Sequence, residues 1–321
     1  MHVTGKELED LSRLDVGDIH RDESLQKYGM WRIGGPADCL VEPRSIEQLC
    51  RLRRYLYEHR IASVVIGEGS NLLFDDTGLR SVAIKIGRSL SAFGIDGKRV
   101  WAETGIAVPR LARAVGMAGL TGIEHTIGIP GTLGGLVVMN GGSRRESVGT
   151  VVRFVEVIDR RGDVHRKWQD ECGFAYRRSW FQSSDDVLVK VELELEHGEP
   201  EAIRRDMLTI LRDRRRKFPH RRLPNCGSVF VSGGELYERF GPPGKVIEEL
   251  GFKGSVVGSA QVSPKHANFI INLGDATASD VCELIRRIRV AVHEKTNIWM
   301  DCEVRHVMPD GRVRPIHEVL Q

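Results

Sequence analysis

Apolar positions change period along the chain, and each change marks an element. In "CLVEP" (39–43) an apolar run ends at a proline and reads as a strand. Ser45 follows, and S-x-x-Q with Gln48 predicts a capping box at a helix start. Ile46, Leu49, Leu52 and Leu56 then recur at helical spacing. The runs "ASVVIG" (62–67) and "SVAIKI" (81–86) read as buried strands, so this part forms a small α/β unit. Beyond it, "VWAETG" and "VRFVEVID" read as strands, and a helix is expected over about 107–119. "DRRGDVH" reads as a hairpin connection in which Gly162 supplies the special backbone angle. A polar link at 196–202 precedes a helix that runs into "LRDRRRKFPHRR". Residues 223–321 read as a second α/β unit. Its clearest helix spans 278–295, with Val281, Leu284, Ile285, Ile288 and Val292 on one face and Thr277 with Asp280 as its cap.

Length fits this division. A chain of 321 residues accommodates two or three domains, and the pattern divides it at 1–98, 99–198 and 199–321. Apolar residues at 41% and charged residues at 28% describe an ordinary globular protein. The 47 basic and 44 acidic residues leave a net charge of +3, which argues against wholesale nucleic-acid binding. No run of 18 apolar residues predicts a membrane span. The opening "MHVTGKELEDLSRLDVGD" has no basic stretch followed by an apolar core, so a cytoplasmic protein is expected. Six cysteines at irregular spacing, none in C-x-x-C, predict reduced thiols and no metal site.

Three glycine-rich segments carry the first chemical signal. They are "RIGGPAD" (32–38), "IGEGSNLLFDD" (66–76) and "GIPGTLGGLVVMNGG" (128–142). Loops of this kind leave N–H groups open to a phosphate, because no Cβ blocks the approach. Ser70 and Asn71 add side-chain donors to the second. "GEGSN" lacks the third glycine of G-x-G-x-x-G and leads into apolar "LLF", so it is not the Rossmann fingerprint. Each segment alone reads equally as a turn between strands. Three within 110 residues point to a large phosphate-bearing cofactor. A second signal is "LPNCGSVFVSGG" (223–234), where Cys226 and Ser228 flank Gly227.

Taken together, "RIGGPADCLVEP", "GEGSNLLF", "GIEHTIGIPGTLGG", "ECGFAYRRS", "PNCGSVF", "AQVSPKHANFIIN" and "NIWMDCEVRHV" resemble the UDP-N-acetylenolpyruvoylglucosamine reductases, the MurB family. That family lies within the wider vanillyl-alcohol-oxidase-type group of FAD enzymes. The segments occur in family order across roughly residues 25–308. The resemblance implies an α+β fold. Two FAD-binding subdomains (1–98 and 99–198) would precede a C-terminal α/β substrate domain (199–321). It implies non-covalent FAD, with NADPH as electron donor. It implies reduction of the enolpyruvyl ether on UDP-N-acetylglucosamine to UDP-N-acetylmuramate, by a monomer that makes peptidoglycan precursors. The short interval from Val231 to Gly244 implies the subclass without an extra substrate-covering loop.

Reducing an enol ether needs a hydride at the β-carbon, stabilisation of the enolate and a proton at the α-carbon. The matched motifs assign the proton to Ser228. They assign enolate stabilisation to Arg177, in preference to Arg178, and to Glu303, which would have to be protonated or share a proton. Matched cofactor positions are Arg32, Gly34, Gly35 and Pro36; then Gly67, Gly69, Ser70 and Asn71; then Gly128, Pro130, Gly131, Thr132, Gly134 and Gly135. Tyr176 and Gly227 are candidate substrate contacts. In the basic run Arg212 to Arg222, Arg216 or Lys217 is the expected diphosphate contact. Without the motifs, Ser228 reads as a turn serine, and Arg177 and Glu303 as ion-pair residues. His266 reads as a core histidine.

One stretch departs from the family. Lys-Asn-Pro usually follows "GSxF" and helps hold substrate. Here Val231, Ser232 and Gly233 stand there, and Cys226 replaces the usual alanine before Gly227. The flavin chemistry is therefore better supported than the substrate. Other readings are a reductase of another activated alkene, a flavin oxidase or dehydrogenase of the same fold group, a thiol enzyme using Cys226, and a flavin- or nucleotide-binding protein that has lost catalysis.

Overall fold

The structure is a computed structural model, and it describes residues 3–220 and 222–320. In the first unit, Asp18–Ser24 pairs antiparallel with Pro36–Glu42. Leu79–Lys85 runs parallel to Pro36–Glu42 on one side and to Ser63–Ile66 on the other. The helix Ile46–Glu58 makes the crossover and buries Leu49, Leu52 and Leu56. Ser45 caps it, accepting the Gln48 N–H at 3.2 Å. The predicted capping box is only half formed. Gln48 Oε1 accepts the Arg44 N–H at 2.7 Å instead of returning to Ser45. The "ASVVIG" strand is also less buried than expected: Val64 and Ile66 point inward, while Val65 lines a cavity.

A five-stranded antiparallel sheet forms the second unit, in the order Val164–Trp168, Val152–Ile158, Val187–Glu194, Arg99–Glu103, Phe93–Asp96. Its last strand lies ahead of residue 99, so the sheet begins before the expected boundary. Gly162 takes a φ of +84° in the predicted hairpin. A Cβ there would lie 2.4 Å from the Cys50 carbonyl oxygen, so the hairpin also packs on the first unit's helix. The helix Val108–Met117 covers the sheet, and Pro200–Lys217 packs beside it. Ile210 enters the same core as Leu111 and Val115. Gly116 permits the close approach, since a Cβ there would meet Met207 Cε at 2.6 Å. The polar link at 196–202 is thus a short strand, Glu196–His197, paired with Leu120–Thr121 and leading into the helix Pro200–Lys217 within one packing unit. The expected boundary at 199 detaches a helix from the core it completes.

In the last unit, Ala260–Val262 pairs with Val256–Val257 and Ile270–Asn272. Ala278–Thr296 lies over this sheet, and its capping box is formed by Thr277 and Asp280 as predicted. This core is shared, because Trp31, Ile33 and Leu73 of the first unit enter it. The Trp31 indole donates to the Ile270 carbonyl at 2.7 Å. The chain then returns: Arg305–Val307 pairs parallel with Leu72–Phe74, in register Arg305 to Leu72. The sequence pattern carries no sign of that return.

Asp76 adds a second tie, accepting the N–H groups of Ala278 at 2.7 Å and Ser279 at 3.1 Å. A carboxylate at a helix N-terminus takes charge-assisted bonds from otherwise unpaired donors. Asp76→Ala is expected to cost about 1–2 kcal/mol. Urea unfolding should show a lower midpoint, and an unchanged midpoint would count against the tie.

Candidate active site

A cavity of about 930 Å³ opens where the three units meet. That is near the top of the roughly 300–1,000 Å³ range of cofactor pockets. The loop after Ser63–Ile66 forms one wall. Gly69 has a φ of +58°, and a Cβ on it would lie 2.1 Å from the Tyr28 carbonyl oxygen. Among the described residues, no backbone acceptor takes the N–H groups of Gly69, Ser70 or Asn71. Three successive unspent donors suit a pyrophosphate. Gly131 lies against Ser70, where a Cβ would meet the hydroxyl at 2.8 Å, and Gly67 lies against Thr132. These glycines let the two predicted loops approach each other. Pro130, Gly134 and Gly135 also line the cavity.

Not every expected donor is available. The third segment contains a short helix, Leu133–Val138, capped by Thr132. Its Leu133 and Gly134 N–H groups already donate to Ile106 and Thr104. This segment shapes the wall more than it supplies donors. The first segment does not reach the cavity. Gly34 packs on Phe74, Gly35 packs on the 76–78 turn, Pro36 starts a strand and Arg32 is exposed. Gly128 is also set back: a Cβ there would overlap the Arg214 side chain at 2.2 Å.

Ser228, Arg177 and Glu303 all line the cavity. Gly227, with a φ of +77°, turns the chain into the Ser228 segment. The Glu303 N–H then donates to the Val229 carbonyl at 2.8 Å, and Phe230 bridges to Cys302. The Asn71 side chain donates to the Glu303 carbonyl at 3.0 Å, and the Asn71 carbonyl accepts the Arg305 N–H at 3.0 Å. Asn71 was expected to offer its amide to a cofactor. One N–H of that amide donates to the backbone that carries Glu303, and Asn71 also lines the cavity.

Arg177 holds a left-handed backbone with a φ of +54°, uncommon for a non-glycine residue. Gln182 supports it by donating to the Arg177 carbonyl at 2.9 Å. Arg177 Nη2 donates to the Gly142 carbonyl at 2.9 Å. Its Nε lies 3.1 Å from Glu303 Oε1 but off the line of a good hydrogen bond. The contact is therefore a close approach of the two groups without a well-aligned hydrogen bond. Arg178 is exposed, so Arg177 is the arginine that meets Glu303. Burial pushes the Glu303 carboxyl above its ordinary range, and Arg177 offsets part of that rise.

Cys226 is buried, and its thiol lies 3.5 Å from the carbonyls of Gly69 and Leu72. Burial pushes it up to about 12, far from a reactive thiolate. Tyr176 is half exposed and does not line the cavity, and its hydroxyl donates to the Ser232 carbonyl at 3.0 Å. Arg216 and Lys217 do not line the cavity; Arg214 does. Helical phase explains this. Arg214 is four residues from buried Ile210 and seven from Met207, on the face that packs inward, and its guanidinium lies over Phe218. That phase was readable in the sequence. Arg221 of the same basic run lies outside the described residues. His266 packs with Phe218 and Phe269, as a core histidine would. Gln182, Arg305 and the segments 183–186 and 310–314 also line the cavity without a sequence signal. Among the described residues, no cluster of side chains could hold a metal ion, and no helix is long and apolar enough to cross a membrane.

Comparison with known proteins bears on the whole chain. Residues 37–167 match the FAD binding domain family. Residues 218–307 match the family described as UDP-N-acetylenolpyruvoylglucosamine reductase, C-terminal domain. The UDP-N-acetylenolpyruvoylglucosamine reductase 1 of Corynebacterium glutamicum is 45% identical over 92% of this chain and 88% of its own length. The reductase of Heliobacterium modesticaldum is 41% identical over 92% of each. The crystal structure of the Thermus caldophilus UDP-N-acetylenolpyruvylglucosamine reductase superposes with a TM-score of 0.75 and 32% identity. That match covers 90% of this chain and 98% of the other.

Behind Arg177, His125 is 2% exposed, and its Nε2 has no hydrogen-bond partner among the described residues. Its carbonyl accepts the Ser143 hydroxyl at 2.5 Å, next to the Gly142 carbonyl that holds Arg177. Burial brings the imidazole down to about 4 from its ordinary 6.5; the Glu124 charge opposes that shift, and the nearby Arg177 charge adds to it. Between these values the unfolded chain binds the proton and the folded chain does not. Stability from this group is therefore full above pH 6.5 and is lost as pH falls towards 4. The loss expected from this one group is about 3 kcal/mol. Urea unfolding across that range should be flatter for His125→Gln than for the parent. Equal slopes would reject the assignment.

Proposed function

The chain belongs to the UDP-N-acetylenolpyruvoylglucosamine reductase family, and from that premise we propose how its own residues carry the reaction and which electron donor it uses. It is an FAD-dependent oxidoreductase that reduces the enolpyruvyl ether of a UDP-N-acetylglucosamine substrate. NADPH as donor, a monomeric state and the cytoplasm as compartment are carried by the family resemblance.

One observation supports the residue roles above all. Ser228, Arg177 and Glu303, far apart in sequence, converge on the cavity that carries the unspent N–H donors of the 69–71 loop. When bound there, FAD supplies the hydride that no side chain can give. Reduction adds a hydride at the β-carbon and a proton at the α-carbon. The electron pair of the C=C bond moves onto the enolate in between. Arg177 offers the substrate carboxylate a fixed cation. Glu303, favoured in its protonated form by burial, donates a hydrogen bond to the developing enolate. Ser228 lines the same cavity, and its hydroxyl delivers the proton.

The test is spectroscopic. The purified protein should be yellow, bleach anaerobically with NADPH, and reoxidise on adding UDP-N-acetylglucosamine enolpyruvate. A colourless protein that cannot take up FAD would sink the reading. Bleaching by an alcohol or sugar instead of NADPH would favour a flavin oxidase.

Two substitutions separate the side chains of the opening motif. Ser228→Ala should stop reoxidation by the enolpyruvyl substrate while leaving the NADPH step intact. Cys226→Ala should be nearly silent in turnover, since its buried thiol is un-ionised. Equal losses in both variants would contradict these roles. For Glu303, turnover should fall as pH rises through its raised value and the carboxyl loses its proton. Glu303→Gln should lack that limb of the profile, and a profile matching the parent would remove Glu303 from the mechanism.

A further inference from the structure

The family's usual lysine after "GSxF" is absent here, and residues 231–233 bring no cation to the site. The loop at 142–147 starts at the cavity wall and carries two arginines that stand outside the lining. It begins at Gly142, whose carbonyl accepts Arg177 Nη2 at 2.9 Å. Gly142 makes the turn so tight that a Cβ on it would lie 1.9 Å from the Glu146 carbonyl oxygen. Arg144 and Arg145 follow with φ of +55° and +68°, two successive non-glycine residues in left-handed backbone. Such conformations are costly for side chains with a Cβ and concentrate at functional sites.

The two arginines differ in their partners. Arg144 is neutralised by Asp206 at 2.6 Å and by Asp213 at 3.7 Å. Arg145 has no carboxylate within ion-pair distance among the described residues. Its guanidinium stacks over Tyr237, 5.7 Å from the ring centre, with Nη2 3.3 Å from the phenol oxygen. Tyr237 sits on the helix Gly234–Phe240. Just before that helix, the Ser232 carbonyl accepts the Tyr176 hydroxyl at 3.0 Å, and the Arg177 guanidinium lies 5.2 Å from the Tyr176 ring centre. Arg145 is thus linked to Arg177 by two routes, through the loop and through Tyr237 and Tyr176. It leaves an uncompensated, stacked cation outside the reacting pocket.

We propose that Arg145, held by Tyr237, is the cation that grips the diphosphate of the nucleotide bound beside Arg177. This deepens the reductase reading and rests on it. A nucleoside diphosphate whose sugar end enters the pocket leaves its phosphates outside. A guanidinium fork can there bond two phosphate oxygens. Tyr237 orients the fork without neutralising it, which a carboxylate partner would do. Both the UDP-sugar and NADPH carry such a diphosphate, and the two half-reactions tell them apart.

The experiment uses the FAD-loaded enzyme and Arg145→Asn, because asparagine tolerates left-handed backbone and removes the charge. Calorimetry with UDP, and the substrate dependence of reoxidation, should both weaken by about ten- to hundredfold, the range of a lost charged hydrogen bond. The limiting reoxidation rate should stay within about twofold. Arg145→Lys should recover part of the affinity. Weakening confined to the NADPH half-reaction would assign the grip to the dinucleotide instead. Unchanged affinity in both half-reactions would overturn the proposal. If the parent enzyme itself binds neither UDP nor the enolpyruvyl substrate, the reductase reading fails, while the NADPH arm still tests Arg145.

Discussion

Leu72–Phe74 and Arg305–Val307 pair in parallel, and Asn71 stands at the head of that pairing. Its carbonyl accepts from Arg305 and its side chain donates to the Glu303 carbonyl. The loop with unspent N–H groups and the segment bearing Glu303 therefore cannot move independently. Glu303 in turn donates its N–H to Val229, next to Ser228. One ladder joins the candidate cofactor cradle, the candidate acid and the candidate proton donor. The shared core around Trp31, Leu73 and Ile270 keeps it dry from behind. Buried backbone groups must be paired, so these bonds resist rearrangement, and the cavity inherits their rigidity.

Charge is managed by the same economy of partners. Arg177 has a carbonyl on one nitrogen and Glu303 near another, in a backbone conformation that Gln182 helps to hold. Glu303 is buried beside it, so desolvation and ion pairing oppose each other on one carboxyl. A group balanced in this way can share a proton with a developing anion, which an exposed glutamate could not. Cys226 shows the opposite outcome. Burial without a cation leaves its thiol un-ionised, and its sulfur packs against the carbonyls of the 69–71 loop.

The departure at Val231–Ser232–Gly233 becomes intelligible only in three dimensions. Without the usual lysine, that segment serves as an anchor: Ser232 accepts from Tyr176, and Gly233 precedes the helix bearing Tyr237. The cation proposed in its place comes from residue 145, on a loop that follows the third glycine-rich segment. Motif matching compares positions along the chain, and a charge supplied from another loop has no position in the motif.

Local pattern alone determined much of this protein. The crossover helix, the Gly162 hairpin, the capped helix at 278–296 and the strand runs depend on short-range periodicity and turn chemistry, and they form as expected. The family motifs brought out Ser228, Arg177 and Glu303, which do meet at one cavity. Tertiary structure alone decided the rest. It assigned "RIGGPAD" to packing, because Gly34 and Gly35 make room for Phe74 and the 76–78 turn. It bonded the Asn71 side chain to the Glu303 carbonyl, set Arg214 rather than Arg216 or Lys217 against the cavity by helix phase, and carried the chain's end back to Leu72–Phe74. The division has a physical cause. Periodicity and capping act over a few residues and leave a trace in the chain, whereas a close approach or a long-range hydrogen bond depends on partners that only folding brings together.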